Sequence, residues 1–136
     1  MIALDSSVAV PALHSDMPHH AKASPYLREA PRLPEHAALE VYAALTRMPD
    51  PARLSPVIAA SLIERNFGDR ILPSPPRKSL VAWLQRMADA GIAGGAVYDA
   101  WIAETARLAD ATLVTADRRA AATYRAVGVE VELLSA

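Results

Sequence analysis

The chain has 136 residues, 52% of them hydrophobic, which is enough for one compact core and too few for two ordinary domains, so it reads as a single domain over 1–136. Its formal net charge of −1 excludes a global pull toward nucleic acid, and any polyanion site must come from local basic clusters. It contains no cysteine, which excludes disulfides and thiolate metal sites and leaves oxygen and histidine as ligands.

The amino terminus carries an acid at residue 5, no basic stretch, and an apolar run broken at Pro11. It reads as neither a signal peptide nor a membrane span, and a cytoplasmic protein without membrane association is expected. Met1 to Leu4 is a short apolar run ending in Asp5, Ser6 and Ser7, the pattern of a buried strand feeding a helix through N-capping residues. Asp5 therefore sits at a strand's carboxyl end, as a cap for the helix through Ala12 or as part of a site. Ser15 to Pro34 contains four prolines and is expected to hold one helix, Ala21 to Arg28, between loops. The adjacent His19 and His20 do not share a helix face and read as solvated.

From His36 the period is helical, with Ala37, Val41, Ala44, Leu45 and Met48 on one stripe, Glu40 at its edge and Pro49 as the stop. His36 and Glu40 stand at i and i+4, a spacing that suits a metal pair or simple packing between turns. Ser55 and Pro56 start a further helix that runs to Phe67 and ends at Gly68. Ile71 and Leu72 suggest an edge strand. The next helix, Lys78 to Ala90, puts Leu80, Trp83, Leu84 and Met87 on one stripe, with Trp83 and Met87 as core or as a dimer surface. After Gly94 and Gly95, a helix starting near Val97 carries Asp99 at the head of an apolar stripe formed by Ile102, Ala103 and Ala106. A carboxylate there is favoured by unpaired amides and the helix dipole, so Asp99 is a cap or a site. Thr112 to Thr115 reads as a buried strand leading to Asp117. A basic helix, Arg118 to Val127, then passes through Gly128 to a last strand, Val129 to Leu134, whose Glu130 and Glu132 alternate with apolar residues as on an edge.

Strands alternating with helices imply a three-layer α/β/α domain with a mainly parallel central sheet. Ligands in such sheets bind outside the carboxyl ends of the strands. Asp5 and Asp117 end strands, Glu40 and Asp99 lie early in helices, and the four can converge on one rim. Two carboxylates about 5 Å apart repel by roughly 3 kcal/mol at an effective dielectric near 20, so four together need protons or a cation. Carboxylate and water ligands favour magnesium, with manganese as the alternative, over zinc. The matching chemistry is phosphodiester hydrolysis. Ser6 and Thr115, beside the strand-end acids, are placed to hold water on the ion.

Five segments in order, IALDSS, HAALEVYAALTRMP, AVYDAWIAETA, LVTADRRA and YRAVGVEVELL, resemble the PIN-domain ribonucleases, in particular the VapC toxins of bacterial toxin-antitoxin pairs. The resemblance covers nearly the whole chain. Single motifs such as T-x-D are weak, whereas the ordered set is specific. The family's four acids match Asp5, Glu40, Asp99 and Asp117, which implies Asp5 and Asp99 as direct metal ligands, with Glu40 and Asp117 completing the pocket and orienting water. The hydroxyl after the first acid, often threonine in the family, is Ser6 here. The resemblance implies a metal-dependent endoribonuclease that cuts structured RNA as a homodimer and is silenced by a cognate antitoxin. Arg118, Arg119 and Arg47 are candidates for phosphate contact, or solvated helix arginines. A non-catalytic module gripping RNA or a protein on the same scaffold remains the alternative. A receiver-type phosphoacceptor is disfavoured, because it wants a lysine near its end and Lys22 and Lys78 both precede the third acid.

Overall fold

The strand β1 (Ile2–Leu4) lies at the middle of the sheet. It pairs in parallel with β4 (Thr112–Thr115), Ile2 opposite Thr112 and Leu4 opposite Val114, and β4 pairs in parallel with β5 (Val131–Leu133). On the other side of β1, Leu4 N donates to Arg32 O at 3.0 Å and Arg32 N to Ile2 O at 2.9 Å. This ladder leads into a second parallel pair, β2 (Leu33–Pro34) with β3 (Ile71–Leu72), giving the order β3-β2-β1-β4-β5. Ala3, Leu4, Leu113 and Val114 are fully buried, as strands covered on both faces must be. The computed structural model describes residues 1–134, so the last two residues of the 1–136 domain lie outside the described residues.

The chain leaves β1 in one direction for β2 and β3, then returns past β1 to β4 and β5. Right-handed crossovers therefore put α1 (Ser6–Leu13), α3 (Glu35–Arg47) and α4 (Pro56–Phe67) on one face and α6 (Ala96–Leu108) with α7 (Arg118–Val127) on the other. This is the three-layer parallel domain that the sequence pattern predicts. No helix among the described residues is long and apolar enough to cross a membrane.

Several local expectations are modified. The single helix over Ala21 to Arg28 is instead a short α2 (His20–Ala23) continued by a 3-10 segment, Ser24–Glu29; Pro25 lacks the amide that an α-helix would need there. His19 is exposed as expected, but His20 is half-buried and its Nδ1 donates to Pro11 O at 2.7 Å. The helix α5 (Leu80–Asp89) starts two residues late, after a 3-10 turn at Arg77–Ser79. Trp83 and Met87 are core and not a dimer surface: they pack on Ala100, with Trp83 set edge-on to Trp101 at 4.8 Å between ring centroids. Beside them the buried Glu104 receives Arg107 Nε at 2.7 Å and faces Arg86 at 3.6 Å, tying α5 to α6. The last strand, Val131–Leu133, is shorter than expected, because Gly128 turns the chain out of α7 and the Val129 amide still reaches back to Tyr124 O at 3.4 Å.

That turn fixes where α7 ends. Gly128 takes φ 104° and its amide closes on Tyr124 O and Arg125 O at 3.1 Å. A Cβ there would meet Arg107 Cδ at 3.8 Å, an ordinary contact, so only backbone strain opposes a side chain. Gly128→Ala should lower stability by about 1 kcal/mol, read from the urea midpoint, with the slope of the transition unchanged.

Candidate active site

The direction of chain reversal falls between β1 and β4, the position where open parallel sheets form a crevice at their carboxyl ends. Asp5 follows β1 directly and Asp117 lies two residues beyond β4. The two strand ends are locked together, because Asp5 N donates to Val114 O at 3.1 Å.

Asp5 is only 3% exposed and its carboxylate is fixed from three directions. Oδ1 accepts from Ser7 Oγ at 2.6 Å and from Val8 N at 3.3 Å, which makes Asp5 the N-cap of α1. Oδ2 accepts from Tyr124 Oη at 2.8 Å, a bond spanning 119 residues. Burial pushes the Asp5 carboxyl above its ordinary range, while Ser7, Thr115, Tyr124 and the Val8 amide pull it back. Burial and the charge of Asp5 push the Tyr124 phenol far up, so it stays a proton donor at any physiological pH. The carboxylate that starts α1 is thus also the one that receives the phenol of α7 at the end of β1.

Asp99 reports on the neighbourhood. Its carboxyl is raised to about 6, first by burial and then by the negative charges of Glu40, Asp117 and Asp5, with His36 acting the other way. Glu40, Asp117 and Asp5 therefore all lie within electrostatic reach of Asp99. Among the described residues none of Asp5, Asp99 and Asp117 has a Lys or Arg ion pair, and Glu40 meets only His36, Nε2 to Oε2 at 3.9 Å. Four carboxylates without a matching cation are oxygen donors of the kind that suits a hard divalent ion. As the side chains stand, however, no three His, Cys, Asp or Glu residues among those described are close enough to enclose one.

Each supporting residue has a specific place. Ser6 Oγ donates to Glu40 Oε1 at 3.2 Å, linking α1 to α3. Thr115 is wholly buried. Its Oγ1 lies 3.2 Å from Ser7 Oγ and accepts from Asp117 N at 3.1 Å, so it positions its neighbours. Asp117 is exposed, and Oδ1 caps α7 by accepting from Arg119 N at 2.9 Å and Ala120 N at 3.2 Å. Arg118 and Arg119 are exposed on the first turn of α7. Arg47 stands at the other end of α3, on a groove of about 860 Å³ that opens at Ser6, Ser7 and Glu40 and continues along Ala43 and Ala44.

Ser7 and Tyr124 were not singled out for a role at the site by the sequence pattern, and His36 only as a possible metal pair with Glu40, whereas its ring lies parallel to that of Tyr98. Ser7 bridges both strand ends, donating to Asp5 and accepting from Ala116 N at 2.8 Å. Tyr124 does carry a signal: it follows Asp117, Ala120 and Ala121 on the inner face of α7, and a buried phenol needs a hydrogen-bond partner. Nothing in the sequence names Asp5 as that partner.

A parallel α/β domain with an acidic pocket at its switch point is the class that fold and site define together. The PIN domain family model matches residues 2–126. Ribonuclease VapC40 of Mycobacterium tuberculosis is 36% identical over 135 residues, 99% of this chain and all of that protein. Ribonuclease VapC27 of the same organism is 37% identical over 131 residues, 96% of this chain and 94% of its own. The crystal structure of FitAcB from Neisseria gonorrhoeae superposes with a TM-score of 0.70 at 21% identity, covering 96% of both chains. The structure of FitAB bound to an IR36 DNA fragment gives 0.65 at 22% identity over 98% of this chain and 94% of that one. The chain belongs to the PIN-domain family, among its VapC-type members.

Two outcomes follow from the charge balance. Because the folded state holds the Asp99 proton up to about pH 6, against an ordinary value of 3.8, ionisation of Asp99 destabilises the fold as pH rises through that window. In chelator, Asp99→Asn should therefore be more stable than the parent at pH 8, by about 1 kcal/mol after discounting for the solvent around this half-buried side chain, and equal to it below about pH 4. Thermal melts across pH decide this; an Asn variant less stable at pH 8 contradicts the charge account. Tyr124→Phe should lose about 2 kcal/mol in denaturant unfolding at pH 7, because a buried carboxylate loses one of its donors.

Proposed function

We propose that this protein is a magnesium-dependent endoribonuclease, the toxin of a type II toxin-antitoxin pair, with manganese able to substitute. The observation that carries the reading is the group of four mutually repelling carboxylates at the switch point, without a basic partner among the described residues. The VapC40 and VapC27 relatives, named as ribonucleases, supply the substrate class.

In this reading Asp5 and Asp99 hold the ion, which when bound activates water and offsets charge on the phosphodiester. Tyr124, Ser7 and the Val8 amide keep Asp5 in one orientation, so the ligand is set before substrate arrives. Glu40, anchored by Ser6, and Asp117, held through Thr115, complete the pocket and orient water. Arg118 and Arg119 on one side and Arg47 on the other contact phosphates. The antitoxin covers the acidic rim with a basic side chain and fills the neighbouring groove with apolar ones. The exposed Leu80, Val81 and Leu84 of α5 support a homodimer, since such residues on one helix want cover.

A second reading, a binding module that grips RNA without cutting it, draws on the open arrangement of the carboxylates and on the use of Asp117 as a cap. Growth separates the two. Expression of the chain alone should arrest bacterial growth and Asp5→Asn should relieve the arrest at equal protein level; normal growth with abundant folded parent protein favours the binding module. Phosphate contact has its own signature. Neutralising Arg118, Arg119 or Arg47 should weaken binding of all RNA sequences alike and flatten the log-log salt dependence by about 0.7 per contact. Asp117→Asn should leave binding equal or tighter while slowing cleavage.

A further inference from the structure

The acidic rim is bordered by a pair of rings that none of the roles above uses. His36, on the first turn of α3, lies parallel to Tyr98 of α6, with ring centroids 5.5 Å apart and planes inclined by 5°. His36 precedes Glu40 by one helical turn, and Tyr98 immediately precedes Asp99. The pair thus joins the two helices that carry the second and third acids. Tyr98 is nevertheless 57% exposed. With one face backed by imidazole, the accessible part of the ring is its outer face and edge, next to the carboxylates.

We propose that the outer face of Tyr98, held flat by His36, is the stacking subsite for a nucleobase flanking the scissile phosphate. The inference rests on the ribonuclease reading. Aromatic faces stack on bases of any identity and hold single strands where the backbone alone would slide. Tyr98 immediately precedes Asp99 and rests on His36, one helical turn from Glu40, so a base on its outer face would lie beside both helices that carry these acids. Further along α3, Arg47 is about 10 Å of helix rise beyond Glu40, room for a neighbouring phosphate. The helix α3 then carries an imidazole, an acid and a guanidinium in a row, with Tyr98 of α6 stacked at its head, which matches an unpaired strand laid along it.

The test uses an RNA that the parent protein cuts, with 2-aminopurine placed in turn at positions around the cleavage point and binding followed in EDTA so that no cutting occurs. One position should be quenched on binding, the quench should persist in Tyr98→Phe, and it should vanish in Tyr98→Ala. With the ion restored, Tyr98→Ala should raise KM about tenfold and leave kcat within about threefold, whereas Tyr98→Phe should match the parent. His36→Ala, which removes the backing ring, should give a smaller rise. Quench that survives in Tyr98→Ala, or an unchanged KM in a variant that melts like the parent, overturns the subsite while the ribonuclease reading stands. A parent protein that neither binds nor cuts RNA removes both.

Discussion

The hydrogen bond from Tyr124 to Asp5 is the contact on which the rest of the site depends. It ties the end of the first strand to the inner face of the last helix, beside the junction of β1 and β4. The bond is strong because the acceptor is charged and both partners are buried. Burial raises the Asp5 carboxyl above its ordinary range, and the donors from α1, α7 and Thr115 act against that rise. The same donors remove its rotational freedom. A ligand that must meet an incoming ion in one orientation gains from being fixed by the fold and not by the ion.

Around that fixed point the other acids are held more loosely. Asp117 is exposed, Glu40 and Asp99 are half-buried, and their mutual repulsion is visible in the raised Asp99 carboxyl. A rigid buried acid surrounded by softer, solvated ones accounts for carboxylates that share an electrostatic field without forming a closed ligand set. The arrangement is stable as a protein at the expense of charge strain, which is the condition that makes a cation or a basic side chain welcome. In the proposed reading, an RNA-cutting ion and a protein inhibitor with a basic side chain would draw on the same strain, and one pocket would serve activity and silencing.

Much of this was legible in the sequence where the signal was local. The acid at the end of a four-residue apolar run, the stripe after Asp99 and the Asp117 cap followed by a basic helix all depend on neighbours a few residues away, and they placed β1, α6, β4 and α7 closely. The layered, mainly parallel architecture followed from the alternation of strands and helices. What escaped was of two kinds. Two-residue strands such as Leu33–Pro34 carry no periodicity to read, and the 3-10 stretch after α2 departs from a helix for the sake of a single proline. The second kind was distance along the chain: Ser7 with Thr115 and Tyr124 with Asp5 are separated by 108 and 119 residues. Thr115 belongs with these: it is buried, and its contacts to Ser7 and to the Asp117 amide cannot be read from its place beside the acids.

The central claim is that the acidic cluster cuts RNA through an ion held by Asp5 and Asp99. Single-turnover cleavage of one RNA by purified protein, with manganese or with EDTA, for the parent and for Asp99→Asn, tests it most directly. The expected result is cleavage by the parent only with the ion, a loss of more than about 100-fold in Asp99→Asn, and RNA affinity in EDTA that is equal or tighter in the variant. Cleavage at the parent rate by Asp99→Asn, or equal cleavage in EDTA, would contradict the account.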